Sequence, residues 1–180
     1  MSEEQGSDEG IRIPLTVNGR QETVLVKADE SLLETLRNQL GFTSTRGTCG
    51  IGVCGTCTVL VDGSTASSCI MLTAQAIGRE VTTAEGLCGP DGELSPVQEA
   101  FVRHVAYQCS FCIPAMTLAV HAALADEEIG CDRAKVREQL AGNLCRCGTY
   151  PEILLAVTDL VEDRVSPGNH DCCSNRNSGA

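Results

Sequence analysis

The sequence predicts an α+β chain: a small mixed sheet with one helix across it, followed by four helices. Three observations carry this. Two β-rich runs flank Asn18-Gly19, the stretch GLCGPDGEL (86–94) breaks the pattern with glycine and proline, and the apolar residues after Ser95-Pro96 recur at helical spacing.

IRIPLTV (11–17) and RQETVLVKA (20–28) read as a hairpin, because Asn-Gly best supplies the two positive φ angles of a type I′ turn. In SLLETLRNQLG, Ser31 and Glu34 form a capping box. Leu32, Leu33, Leu36 and Leu40 repeat at helical spacing, and Gly41 suits the position after a helix end. CTVLVDG (57–63) reads as a strand turning at Asp62-Gly63, with a return strand in the 67–78 region that carries Cys69. Residues 11–86 thus form one expected unit, and 87–94 a linker. Ser95 as N-cap, Pro96 at N1 and Gln98 at N3 open the first long helix, with Val97, Ala100, Phe101 and Val105 on one face. PAMTLAVHAALA (114–125) is apolar almost all round, which predicts a buried helix. Helices over 133–144 (Val136, Leu140, Leu144) and 152–164 (Ile153, Leu154, Val157, Leu160, Val161) complete a second unit spanning 95–165. The small, polar compositions of 1–10 and 166–180 predict disordered ends.

At 180 residues and 42% hydrophobic content the chain can bury a core without disulfides. Its net charge of -11 leaves no basic stripe for a phosphate backbone, so nucleic acid is not an expected partner. No segment approaches the uninterrupted apolar length of a membrane span. The polar, acidic start MSEEQGSDEG lacks the pattern of a signal peptide, and the expected location is cytoplasmic. In a reducing compartment, twelve cysteines point to ligands or catalysts.

Cys49, Cys54 and Cys57, followed by Cys69, give the C-x4-C-x2-C…C spacing of plant-type [2Fe-2S] sites. Four thiolates must converge on a small rhombic core, so the chain has to fold tightly over it. Gly50, Gly52 and Gly55 permit such turns and let backbone N–H groups approach the sulfurs. Zinc is the competing reading, although it prefers closer cysteine pairs. A second quartet, Cys109/Cys112 and Cys145/Cys147, is by itself ambiguous between zinc and an iron-sulfur cluster. Pro114 and the Thr149-Tyr150-Pro151-Glu152 start place both pairs beside expected helix N-termini, whose positive end favours an anionic cluster.

CGIGVCGTC (49–57), QCSFC (108–112) and GNLCRCGTYPEI (142–153), together with SPVQEAF, resemble the two-cluster iron-sulfur subunit of the molybdenum hydroxylases, the xanthine oxidase family, over roughly residues 11–163. The resemblance implies a β-grasp, ferredoxin-like first domain and a four-helix bundle as the second, each holding one [2Fe-2S] cluster. It implies an electron-transfer subunit of an oxidoreductase whose substrate site lies in another chain, so that no catalytic residue is expected here. Gln108 would contact a molybdenum-pyranopterin cofactor held by a large partner subunit. Cys147 would be both ligand and point of closest approach to that pterin. Electrons would then leave by way of the second quartet and the first to a FAD-binding subunit or a cytochrome. The chain departs from the family's usual pattern at Ser110 and Ala115, where glycine is usual. It departs again at Gly148-Thr149-Tyr150, an order similar to the isoquinoline and nicotinate oxidoreductase branch, some of whose members use cytochromes. A freestanding ferredoxin-type carrier is the alternative, and it leaves the second quartet without a role.

Cys88 and Cys131 read as small packed residues, and Cys172-Cys173 as incidental to the tail, with a redox pair as the alternative. His104 and His121 fall on expected helices as packed or hydrogen-bonded side chains. Arg46 and Arg146 stand beside ligand positions, where their charge can offset that of a reduced cluster or simply be solvated.

Overall fold

The computed structural model of the chain describes residues 10–165. The expected disordered ends, Gly10 excepted, lie outside them, as do His170, Cys172 and Cys173. The architecture is α+β: a mixed five-stranded sheet with a helix across it, then four helices.

Strands β1 (Ile11–Val17) and β2 (Arg20–Val26) pair antiparallel in full register from Ile11↔Val26 to Val17↔Arg20. Asn18 (φ 52) and Gly19 (φ 74) adopt the two left-handed conformations that the turn requires. Helix α1 (Leu32–Glu34) opens with the Ser31/Glu34 capping box and continues as a π-helix over Thr35–Gln39. Leu32 and Leu36 are fully buried against the sheet. Thr35 is buried between them, its hydroxyl held by the Glu30 carboxylate and by Thr73 at 2.8 Å each.

Strand β3 (Thr58–Val61) turns through Asp62 (φ 50) and Gly63 (φ 80) into β4 (Ser64–Ser67). The return strand therefore ends before Cys69, which falls in the following turn, and Thr73–Ala76 is a 3-10 helix. The expected strand over 67–78 is corrected to this: the apolar residues Ile70, Met71 and Leu72 drew the sequence reading beyond a strand made of serines, threonine and alanine. A fifth strand, β5 (Glu80–Thr82), goes unanticipated. It sits at the centre of the order β2-β1-β5-β3-β4, parallel to β1 and antiparallel to β3.

The helices are α2 (Pro96–Arg103), α3 (Ile113–Ala125), α4 (Arg133–Gln139, extended by a 3-10 turn over Leu140–Gly142) and α5 (Tyr150–Val165). α2 begins with the expected Ser95/Gln98 capping box. Phe101, Met116, Val120, Val136, Ile153 and Val157 form their shared core. Two expected core positions are corrected. Val105 follows the end of α2 in a left-handed conformation (φ 50) and is exposed, and Leu144 lies beyond α4 and is exposed as well. The sheet and helices meet where Leu118 of α3 packs on Leu60 of β3 and Ala84. No helix among the described residues is long and apolar enough to cross a membrane.

Two cysteine cages and the junction between them

The loop between α1 and β3 carries Cys49, Cys54 and Cys57. Gly50, Gly52 and Gly55 all have φ near +70°, the conformation that a side chain would strain. The amide of Cys54 donates to Cys49 Sγ at 3.4 Å. Cys49 is pushed down to about 6 by the N–H groups of Ile51 and Cys54, the Cys54 thiol and the N–H of Val53. Cys69 comes in from the turn after β4, where Ser68 donates to the Cys57 carbonyl through N–H (3.3 Å) and Oγ (2.7 Å). Burial, then contact with the Cys57 thiol, raises Cys69 to about 11, and the Gly52 amide opposes this. The four cysteines thus converge, Cys49 interacting most strongly with the Cys54 thiol and Cys69 with the Cys57 thiol.

The second quartet assembles from two loops far apart in sequence. Cys112 is the residue capping α3, and Cys145 and Cys147 stand just ahead of α5. Here too all four thiols act on one another, most strongly Cys109 with Cys147 and Cys112 with Cys145. Burial first, then the Cys145 thiol, pushes Cys112 up to about 12. Burial also raises Cys145, but the Thr149 amide and hydroxyl, the Cys112 thiol and the Cys147 amide outweigh it and leave this thiol at about 7. The Phe111 amide, then the Cys147 thiol, lowers Cys109. Within each cage, neighbouring thiolates repel, so the full set cannot ionise without positive charge among them. Backbone amides already point at the sulfurs. Among the described residues no three His, Cys, Asp or Glu side chains close on a single point as one metal ion requires.

Cys109 and Cys147 are exposed at the surface, and Gln108 Nε2 donates to the Cys147 carbonyl at 3.3 Å. Ser110 takes φ 61, a left-handed conformation costing about 1 kcal/mol outside glycine. Its carbonyl accepts from Arg46 Nη1 at 2.6 Å, and the same guanidinium lies 5.1 Å over the Phe111 ring. Arg46 is thus a tie between the two loops rather than a solvated charge. Ala115 is buried within α3, and Gly148 takes φ 78 ahead of buried Thr149. Arg146 is exposed between Cys145 and Cys147.

Between the cages lies a cavity of about 760 Å³, lined by Thr48, Cys54 and Thr56 on one side and Cys109, Cys112 and Cys145 on the other. At its edge Leu144 N donates to the Cys54 carbonyl at 2.9 Å, and Asn143 Nδ2 donates to Gly55 O at 2.9 Å. Sequence reading missed Asn143, since Gly-Asn ordinarily signals a surface turn. Nor did it anticipate Cys131, which is disulfide-bonded rather than a packed thiol. Cys88 is a free thiol in contact with the Gln98 amide. His104 bonds Asp159 at 2.6 Å between α2 and α5, and burial lowers His121 within α3.

Residues 15–84 match the 2Fe-2S iron-sulfur cluster binding domain family, and 83–158 the [2Fe-2S] binding domain family, one for each cluster. The nicotine 6-hydroxylase small subunit of Paenarthrobacter nicotinovorans is 44% identical over 83% of this chain and 88% of its own length. The xanthine dehydrogenase iron-sulfur-binding subunit of Escherichia coli O157:H7 is 42% identical over 84% of this chain and 94% of its own. Among solved structures, a chain of quinoline 2-oxidoreductase from Pseudomonas putida superposes with a TM-score of 0.78 at 38% identity, over 87% of this chain and 96% of that one. Two pairwise thiol cages, two matching domains and these relatives together make the chain a member of the [2Fe-2S] iron-sulfur subunit family of the molybdenum hydroxylases, an electron-transfer subunit of an oxidoreductase complex.

Proposed function

We propose that Cys49, Cys54, Cys57 and Cys69 hold one [2Fe-2S] cluster and Cys109, Cys112, Cys145 and Cys147 the other. The observation that carries this is the convergence of each quartet within its own [2Fe-2S]-binding domain, and the strongest thiol-thiol interactions suggest which cysteines share an iron: Cys49 with Cys54, Cys57 with Cys69, Cys109 with Cys147, and Cys112 with Cys145. When bound, each cluster supplies a one-electron redox centre. The chain's own residues hold it, turn amides towards its sulfurs and keep bulk away through glycine. In this reading the units are a β-grasp domain over 11–86, a linker over 87–94 and a four-helix bundle over 95–165.

Exposed Cys147 and Gln108 mark the face that meets a large molybdenum-binding subunit, with Gln108 reaching the pyranopterin. The hydrogen bond from Gln108 to the Cys147 carbonyl supports this reading, because it fixes the amide beside the one cage that opens to the surface there. At the other end the electron acceptor is a FAD-binding subunit or a cytochrome, and the complex works in the cytoplasm.

The test is a pair of variants in the intact complex. Cys57→Ser should abolish one reduced-state paramagnetic signal and leave the other. Cys147→Ser should abolish the other and uncouple the chain from molybdenum. Loss of both signals from either change, in protein that stays folded, contradicts two separate cages.

A further inference from the structure

We infer that Asn143 is a positioning residue that docks the second cage on the first and fixes the connection between them. The inference rests on the reading of the two quartets as cluster cages.

Asn143 is 5% exposed, in a turn with no regular structure of its own. Its amide nitrogen donates to Gly55 O at 2.9 Å and reaches Thr58 Oγ1 at 3.3 Å. Both acceptors belong to the first cage and the strand leaving it. The next residue donates its backbone N–H to the carbonyl of Cys54, and the residue after that is Cys145. A direct connection from one quartet to the other therefore runs from the Cys54 carbonyl through one hydrogen bond to the Leu144 amide, and then through one residue to a cysteine of the second. Tyr150 holds the turn from the opposite side. Its hydroxyl donates to Asn143 O at 3.0 Å and accepts from Cys145 N at 2.8 Å. Space is made for the contact from the first cage, because a Cβ on Gly55 would lie 2.3 Å from Gly142 O and 2.8 Å from Asn143 Nδ2.

A buried amide that served folding alone could bond anywhere in its own unit. This one spends its donors across the junction, at the point where a cysteine of each cage is within two residues of the contact. The step it supports moves one electron, oxidising one centre as it reduces the other, with no transfer of atom or proton. A carbonyl-to-amide hydrogen bond at fixed length keeps that step fast, and Asn143 and Tyr150 hold the length fixed.

Asn143→Ala, in the whole complex, should keep both paramagnetic signals and the full iron content. The rate of electron equilibration between the two centres after flash reduction should fall about tenfold, the scale on which supporting residues act at metal sites. The magnetic broadening of each reduced signal by the other should weaken as the spacing between the centres is released, a change that a loss of stability leaving that spacing intact would not produce. Tyr150→Phe, which keeps the ring and removes only the hydroxyl, should move both readouts the same way by less, and it replaces the first variant should that fail to fold. Unchanged equilibration and broadening in either folded variant overturn the inference. Failure of the unmodified complex to show two signals overturns instead the cage reading beneath it.

Discussion

The two cages reach the same arrangement of thiols by opposite means. The first draws three cysteines from one nine-residue loop, whose glycines alone permit the turns, and borrows a fourth from a neighbouring turn tied to Cys57 by Ser68. The second has no such loop. Its pairs sit at the starts of α3 and α5, and they meet only because the helices behind them pack. A locally encoded cage depends on backbone conformation, whereas an assembled one depends on the core, and each should fail when its own support is removed.

The largest expected effect tests the assembled cage. Ile153 is fully buried in α5 just beyond Cys147, so Ile153→Ala should cost about 3 kcal/mol. Thermal unfolding and paramagnetic signals should show the second centre weakened while the first is retained. Equal loss of both would mean that the first cage leans on the helical core as much as the second does.

A glycine pair sharpens the local side. Gly50 and Gly55 share the same left-handed φ, but a Cβ on Gly50 meets nothing within 4 Å, whereas one on Gly55 collides with Gly142 O. Gly50→Ala should cost about 1 kcal/mol of conformational strain. Gly55→Ala should cost about 3 kcal/mol, because strain and overpacking combine, and it should disturb both centres. Similar values for the two would show that the junction yields easily.

The smallest effect concerns Glu85, whose carboxylate accepts from the Ser44 amide (2.9 Å) and hydroxyl and from Thr83 Oγ1 (2.7 Å). It thereby ties the segment leading to the first cage to the one leading to the helices. Burial raises this carboxyl, but these hydrogen bonds outweigh it and hold it below its ordinary range. A depressed folded pKa stabilises above the unfolded value, about 4.3, and that stabilisation is lost as pH falls through the folded one. Unfolding measurements on Glu85→Gln should therefore show a deficit near neutral pH of under about 1 kcal/mol, screened by exposure, that closes in acid. A deficit that widens in acid would contradict the depressed pKa.

The same contrast explains what could be read in the sequence. Features set by adjacent residues were legible: the Asn18-Gly19 turn, the Ser31/Glu34 and Ser95/Gln98 capping boxes, and the dense loop from Cys49 to Cys57. Features set by distant partners were not. Strand β5 is three residues long with only Val81 buried, too short for a period, and its central place comes from β1 and β3 on either side. Strand β4 is an edge of small polar residues without an apolar signal. Val105 and Leu144 continue the helical spacing on paper, but the chain has already left the helix at both. The second quartet was ambiguous in sequence because C-x2-C and C-x-C do not say which thiols meet. Asn143 and Arg46 acquire their partners only when the two loops approach.

Two separate two-iron cages in one chain require twice the iron of a single-cluster carrier. Iron and acid-labile sulfide should be determined on the native complex, purified anaerobically, and its reduced-state paramagnetic spectrum recorded. The prediction is about four irons and about four sulfides per chain with two distinguishable signals. About two irons and a single signal in an intact chain would contradict it.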